Sequence, residues 1–294
     1  YYTPNGAYNL LLSTPAPPKR GIYLQLSFTS FKFFIMKNAT ILLVLCLISH
    51  ALLAQTPVGR RAAGATPADI QGAIDQFRTD LGGANNGIGN TFTTGRREIN
   101  WDGVPDAFAQ PNNLPPDFFN VNSPRGLVMR AVGEKEETEG FRVSADSDNP
   151  TQTATKFADI STSFATQFKA FSEQRVFSYL DHKEIAIRFF VPGTQTIAAV
   201  RGFGAVFCDV DIAQVSSIEL FQGKKSLGKF YAQPTNAGLS FVGVSFPTAI
   251  VTKVIITTGN TPVQVNCGAT PESSTKDIVV LDDFIYGEPQ AVQQ

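Results

Sequence analysis

Two pairs of aspartates and one charged stretch around a tryptophan hold most of the chemistry this 294-residue chain could perform. Asp209 and Asp211 in "FCDVDIA" stand two residues apart, so on a strand or at its end they point to one face. Two carboxylates on one face, beside a loop carbonyl, can begin a site for Ca2+, which takes about 6–8 oxygen ligands. The same spacing also suits a strand that simply ends there, with both aspartates solvated or capping a turn. Asp282 and Asp283 in "DIVVLDDFIYG" are adjacent, so they project to opposite faces and cannot act as a dyad unless a bulge intervenes. One of them is expected to be buried, and a buried carboxylate needs an Arg, a backbone N–H or a metal as partner. If Ca2+ binds, its ligands are expected among Asp209, Asp211, Asp282 and Asp283.

The third candidate is "GRREINWDGVPD", residues 95–106, which holds the only Trp. Read as a strand, it turns Arg97, Ile99 and Trp101 one way and Glu98, Asn100 and Asp102 the other. That polar row could bind a sugar hydroxyl, a metal or a neighbouring Arg, and Trp101 could offer a flat ring to a pyranose. A glycosidase needs two carboxylates about 5–10 Å apart. Glu98 and Asp102, four residues apart on one strand face, are separated by ~13 Å. The stretch therefore reads either as a ligand surface or as a brace, with Arg96 or Arg97 ion-paired, Trp101 in the core and "DGVP" forming a turn.

Most of these residues must be positioned by strands. From about residue 164 to 287 the chain is a series of short segments rich in Val, Ile and Phe, punctuated by Gly, Pro and Asn. No helical pattern lies between them, which predicts an antiparallel β-sandwich or jelly roll. "SSIELFQGKKSLGKFYA" reads as a hairpin around "QGKK". "DIVVLDDFIYG" is apolar on both faces, as a central covered strand should be. One amphipathic helix is predicted over residues 66–82: Thr66 caps it, Pro67 and Asp69 suit its first turn, and Ile70, Ile74, Phe77 and Leu81 form a stripe that docks on the sheet. Residues 103–125 form Pro- and Phe-rich loops, too apolar to stand free in solvent. The acidic run "EKEETEG" reads as a solvated hairpin end.

The ends and the composition bound the function. "MKNATILLVLCLISHALLAQ" has the layout of a secretory signal peptide over residues 36–54, with cleavage expected after Ala54. Its apolar run is less than half the ~20 residues that span a bilayer. Residues 1–35 then precede the true start, and residues 55–294 form a single β-sandwich domain. Removing Lys19, Arg20, Lys32 and Lys37 with the leader leaves 20 basic against 25 acidic residues, a net of −5. That balance, with no basic cluster, argues against nucleic acid and anionic membranes. His182 alone remains after the leader, so a His-pair zinc site is excluded. There is no G-x-S-x-G elbow for a serine nucleophile. In an exported chain Cys208 and Cys267 can pair, or stand as one buried and one exposed thiol.

"GRREINWDGVPD", a Pro/Phe loop with "DFFN", "VRGFGAVFCDVD", "LSFVGVSF" and "VVLDDFIYGEP" together resemble a group of uncharacterised exported bacterial proteins. Their C-terminal part is similar to the jelly-roll domains of carbohydrate-binding modules. The resemblance implies an exported β-sandwich, without assigning an activity. The expected function is non-enzymatic binding of a glycan or another cell-surface component, with Ca2+ as a structural ion. The alternatives are a hydrolase acting on polysaccharide or ester, and a purely structural or adhesive module. The glycan reading requires an exposed Trp101 beside a groove.

Overall fold

Alternation of large apolar and polar residues along the C-terminal strands generates two sheets with a shared interior. The computed structural model describes residues 56–133, 139–265 and 272–292. The expected leader, residues 1–35, most of the acidic run and Cys267 lie outside the described residues.

In chain order the strands are β1 (Val58–Gly64), β2 (Arg96–Ile99), β3 (Leu127–Ala131), β4 (Phe141–Val143), β5 (Phe177–Tyr179), β6 (Glu184–Phe189), β7 (Ala198–Ala199), β8 (Gly202–Val210), β9 (Ser217–Gln222), β10 (Lys225–Tyr231), β11 (Thr235–Ser245), β12 (Lys253–Thr257), β13 (Val280–Gly287) and β14 (Gln290–Ala291). A seven-stranded sheet runs β1-β11-β8-β13-β5-β4, with β2 also pairing β13. A five-stranded sheet runs β10-β9-β12-β6-β3, and β14 pairs β7 separately. All ladders are antiparallel, as a β-sandwich requires. The "QGKK" segment is the turn of the β9–β10 hairpin, as its sequence predicts.

The two sheets bury one core between them. Phe203, Ala205 and Phe207 of β8 and Leu281, Phe284 and Tyr286 of β13 meet Ile185, Ile187, Val254 and Ile256 of the facing sheet. A second core lies on the other side of the seven-stranded sheet, where Val206, Cys208, Val280 and Ile285 point outward. β13 is therefore covered on both faces. Helix α1 (Pro67–Asp80) closes the second core with Ile70, Ile74, Phe77 and Leu81, all fully buried. Thr66 begins the helix, its N–H and hydroxyl both donating to Asp69 Oδ2 at 2.8 Å. Gly204 and Gly243 admit its Phe77 ring. A Cβ on Gly204 would lie 2.8 Å from Phe77 Cε1, and one on Gly243 3.0 Å from the same ring.

The Pro/Phe loops lie against the first core rather than in solvent. Helix α2 (Phe118–Val121) buries Phe118 and Phe119 there, and the short helix α3 (Phe164–Gln167) adds Phe164 to the second core. No helix among the described residues is long and apolar enough to cross a membrane.

Candidate metal centre

The sheet register accounts for one acidic cluster directly. β8 and β13 pair antiparallel with Cys208 opposite Val280, so the exit of β8 runs beside the entry of β13. Asp209 and Asp211 lie on that exit, and Glu272 and Asp277 on the loop that enters β13. One carboxylate oxygen from each of Asp209, Asp211 and Glu272 lies within 4.8 Å of the others. Two oxygens bound to one Ca2+ at about 2.3–2.6 Å can be no more than ~5 Å apart, so the spacing fits.

The backbone bends to make the cluster. Asp209 takes a left-handed φ of 68°, uncommon for a residue with a Cβ though tolerated best by Asp and Asn. The break shows in the packing: Cys208 faces the second core and Val210 the first, although strand alternation would put both on one side. Across the ladder Ala237 also has a positive φ, and its N–H donates to Asp209 Oδ1 at 2.6 Å. Two strained residues facing one another at a carboxylate cluster are of the kind found at functional sites.

The neighbours fix the carboxylates without neutralising them. Gln167 Nε2 donates to Glu272 Oε2 at 2.5 Å and the Ile278 N–H to Glu272 Oε1 at 2.9 Å. The Asp277 carboxylate receives the N–H groups of Asp211 at 3.2 Å and Ile212 at 3.0 Å, so it holds the turn rather than facing the cluster's centre. Asp209 is 1% exposed, yet its Oδ2 has no hydrogen-bond partner among the described residues, and neither does Asp211 Oδ1. A buried charged oxygen left without a donor is costly unless a cation or proton meets it.

The electrostatics agree. Burial, then the charges of Asp209, Asp211 and Asp277, push the Glu272 carboxyl up to about 8, against the Ile278 N–H. Burial likewise pushes Asp277 up to about 6, against the N–H groups of Ile212 and Asp211. Asp209 is raised by burial first and also by Asp211, with the Ala237 N–H and the neighbouring side chains of Gln167 and Glu272 opposing. The charged side chains that act most strongly on Glu272, Asp209, Asp211 and Asp277, are themselves acidic. The cluster must therefore hold a proton or a cation. Its donors are all oxygens, which suits Ca2+ and other hard ions rather than zinc. Asp211 and Glu272 open onto a cavity of about 340 Å³ lined also by Ile212, Asn236, Ser273 and Ser274.

The other expected ligands, Asp282 and Asp283, are not part of this cluster. A bulge between Leu281 and Phe284 inserts one residue into β13, so the two aspartates do not diverge as plain alternation predicts. Each carboxyl acts on the charge of the other, and Ser172 Oγ, 3.3 Å from Asp282 Oδ1, bridges them. The Phe171 N–H donates to Asp282 Oδ2 at 2.5 Å, and Ser172 Oγ lies 2.7 Å from Asp283 Oδ1. Ser172 Oγ is also 3.3 Å from Asp102 Oδ2, so the third carboxylate here is Asp102. Burial drives both aspartates upward, Asp283 to about 6. They form an internal brace that ties β13 to the 171–172 segment.

The stretch around Trp101 is also a brace, which corrects the ligand-surface expectation. β2 stops at Ile99 and the chain turns into a 3-10 helix at Trp101–Gly103, so the row of Glu98, Asn100 and Asp102 does not form. Trp101 is fully buried, stacked on Phe177 at 4.3 Å with Phe119 and Phe284 edge-on, and offers no ring to a sugar. Glu98 is bound by Arg78 at 2.9 Å and by Arg96. Asp102 receives the N–H groups of Gln174 and Arg175, both at 3.0 Å, while Asn100 stays exposed.

Cys208 is a free buried thiol, and its expected partner Cys267 lies outside the described residues. His182 is exposed and stacks on Tyr179 at 4.3 Å. Sequence reasoning missed Glu272, the third member of the cluster, and Asp277, which supports it. The available signal was the acidic pair flanking "SSTK" just before a strand that could neighbour "FCDVD". Compared with known proteins, the chain matches no family model, no curated protein and no solved structure.

Proposed function

We propose that this chain is an exported, non-enzymatic β-sandwich binding module whose loop end is organised by a divalent cation, Ca2+ by its donor set. The observation that carries the reading is the buried, partnerless Asp209 Oδ2 within a three-carboxylate cluster of Asp209, Asp211 and Glu272. Export rests on the leader-like residues 36–54. The buried Trp101 removes the main support for glycan binding, so the partner is better sought at the cation site and the sheet faces.

The test is calorimetric titration of chelator-treated protein with Ca2+. One saturable site is expected, lost in Asp209→Asn and Glu272→Gln, with zinc a poorer ligand. Heats indistinguishable from buffer in the wild type would reject the metal reading.

A hydrolase is the second reading, favoured by one observation: Asp211 and the proton-holding Glu272 meet in a cavity, as an acid and a base would. Turnover of polysaccharide or ester substrates that persists in chelator and disappears in Glu272→Gln would select it.

A further inference from the structure

The five-stranded sheet carries an unusual arrangement of charge on its outer face. Ile185, Ile187, Val254 and Ile256 fill the core, so Ala186, Arg188, Lys253 and Ile255 point outward from the same strands. There they floor a groove of about 690 Å³. Lys253 stands directly opposite Arg188 in the β12–β6 ladder, and Arg130, opposite Ala186 on β3, lines the same groove. Like charges directly opposite one another in a sheet are destabilising. Lys253 registers the cost: burial and then Arg188 lower its pKa, with Glu219 on the neighbouring strand opposing. Among the described residues that line the groove none is acidic. The whole chain is nearly balanced, 24 basic against 25 acidic residues, so Arg130, Arg188 and Lys253 are a local concentration of cations.

The rim has a different chemistry. Val132, Ile197 and Val292 border the groove and are all exposed, Ile197 reaching 59%. Exposed aliphatic groups gathered at one opening mark a binding surface more often than a bare one. A polyanion would meet hydrocarbon at this rim, whereas a ligand with one anionic head and an aliphatic body matches both parts. An Arg fork beside a Lys is suited to a carboxylate head.

We propose that this groove binds an aliphatic carboxylate, with its head between Arg188 and Lys253 and its hydrocarbon against Val132, Ile197 and Val292. The site is separate from the carboxylate cluster and functions with or without the cation. It explains why the sheet keeps a repelling pair in register: local rules are broken where function requires it.

The test is titration with sodium decanoate below its micelle concentration, in chelator, with decanol and acetate as controls. Saturable decanoate binding is expected, with amide shifts confined to β3, β6, β12 and the rim, and each control weaker by about tenfold or more. Arg188→Gln and Lys253→Gln should each weaken decanoate by about tenfold while leaving decanol unchanged. Arg188→Gln should not lower the melting temperature, because it removes a repulsion, whereas Lys253→Gln also gives up the contact of Lys253 Nζ with the Phe221 ring, 3.9 Å from its centroid. Non-saturable binding, decanol binding as tightly as decanoate, or full affinity in both variants would overturn the proposal. So would a lowered melting temperature in Arg188→Gln, which would show that the pair is held for the fold.

Discussion

Arg97 and Glu288 form a fully buried, two-pronged ion pair, with Nε to Oε2 at 2.6 Å and a second guanidinium nitrogen to Oε1 at 2.7 Å. The remaining guanidinium hydrogens go to the carbonyls of Gly87, Gly89 and Asn90. One side chain thus fastens the Asn/Gly-rich loop before β2 to the segment that leaves β13. Desolvating two charges is recovered only when every hydrogen is used in this way. "GRREINWDGVPD" is charged because it secures a loop, and its chemistry is spent inside the fold.

Removing one partner should be far worse than removing both. Arg97→Ala and Glu288→Ala should each lose about 3–5 kcal/mol in urea unfolding, because each leaves a buried charge alone. Arg97→Ala combined with Glu288→Ala should lose clearly less than the sum of the single losses. Additive losses in that cycle would mean the two side chains act independently.

The single tryptophan reports on the first core. Trp101 is enclosed by Phe119, Phe177 and Phe284, so its emission should be blue-shifted and poorly quenched by iodide in the native state. Trp101→Ala should cost about 3–5 kcal/mol by emptying that space, and Trp101→Phe less. Efficient iodide quenching of the folded protein would contradict the burial.

What was legible in the sequence followed from periodicity. The helix stripe of Ile70, Ile74, Phe77 and Leu81, the β9–β10 hairpin and the doubly covered β13 all read directly from spacing. Spacing misleads where the backbone departs from regularity. The bulge at Asp282–Asp283 and the left-handed Asp209 each turn a side chain away from where alternation puts it. The bend at Trp101 ends β2 before the polar row can form. Glu272 was hidden for another reason: its place beside Asp209 depends on β8 pairing β13, a long-range choice that no local pattern encodes.

The Asp282–Asp283 pair should give the fold an inverse pH dependence. Folding raises Asp283 from 3.8 to about 6, through burial first, and raises Asp282 as well. The native state therefore binds a proton that the unfolded chain releases. The resulting stabilisation is fully present below about pH 4 and is lost as pH rises through about 6. Asp282→Asn removes one of the two interacting charges. It should raise stability at pH 7.5 by on the order of 1–2 kcal/mol and flatten the slope between pH 4.5 and 7.5. An unchanged slope would remove the pair as its source.

Cation binding at Asp209, Asp211 and Glu272 should release a proton. The Glu272 carboxyl, raised to about 8 chiefly by burial and then by its acidic neighbours, is protonated at pH 7, whereas a metal ligand must be ionised. Calorimetry at pH 7 in buffers of different ionisation heat should therefore return about one proton released per Ca2+ bound, falling toward none near pH 9. Affinity should rise with pH until about 8 and then level. At a hundredfold excess over Kd, Ca2+ should stabilise the fold by about 2.7 kcal/mol, a shift of roughly 5–10 °C for a domain of this size. Glu272→Gln should abolish the proton release together with most of the affinity. If Ca2+ binds with undiminished affinity and the proton count is the same in that variant, Glu272 is not a ligand and the cluster's third position must be assigned elsewhere.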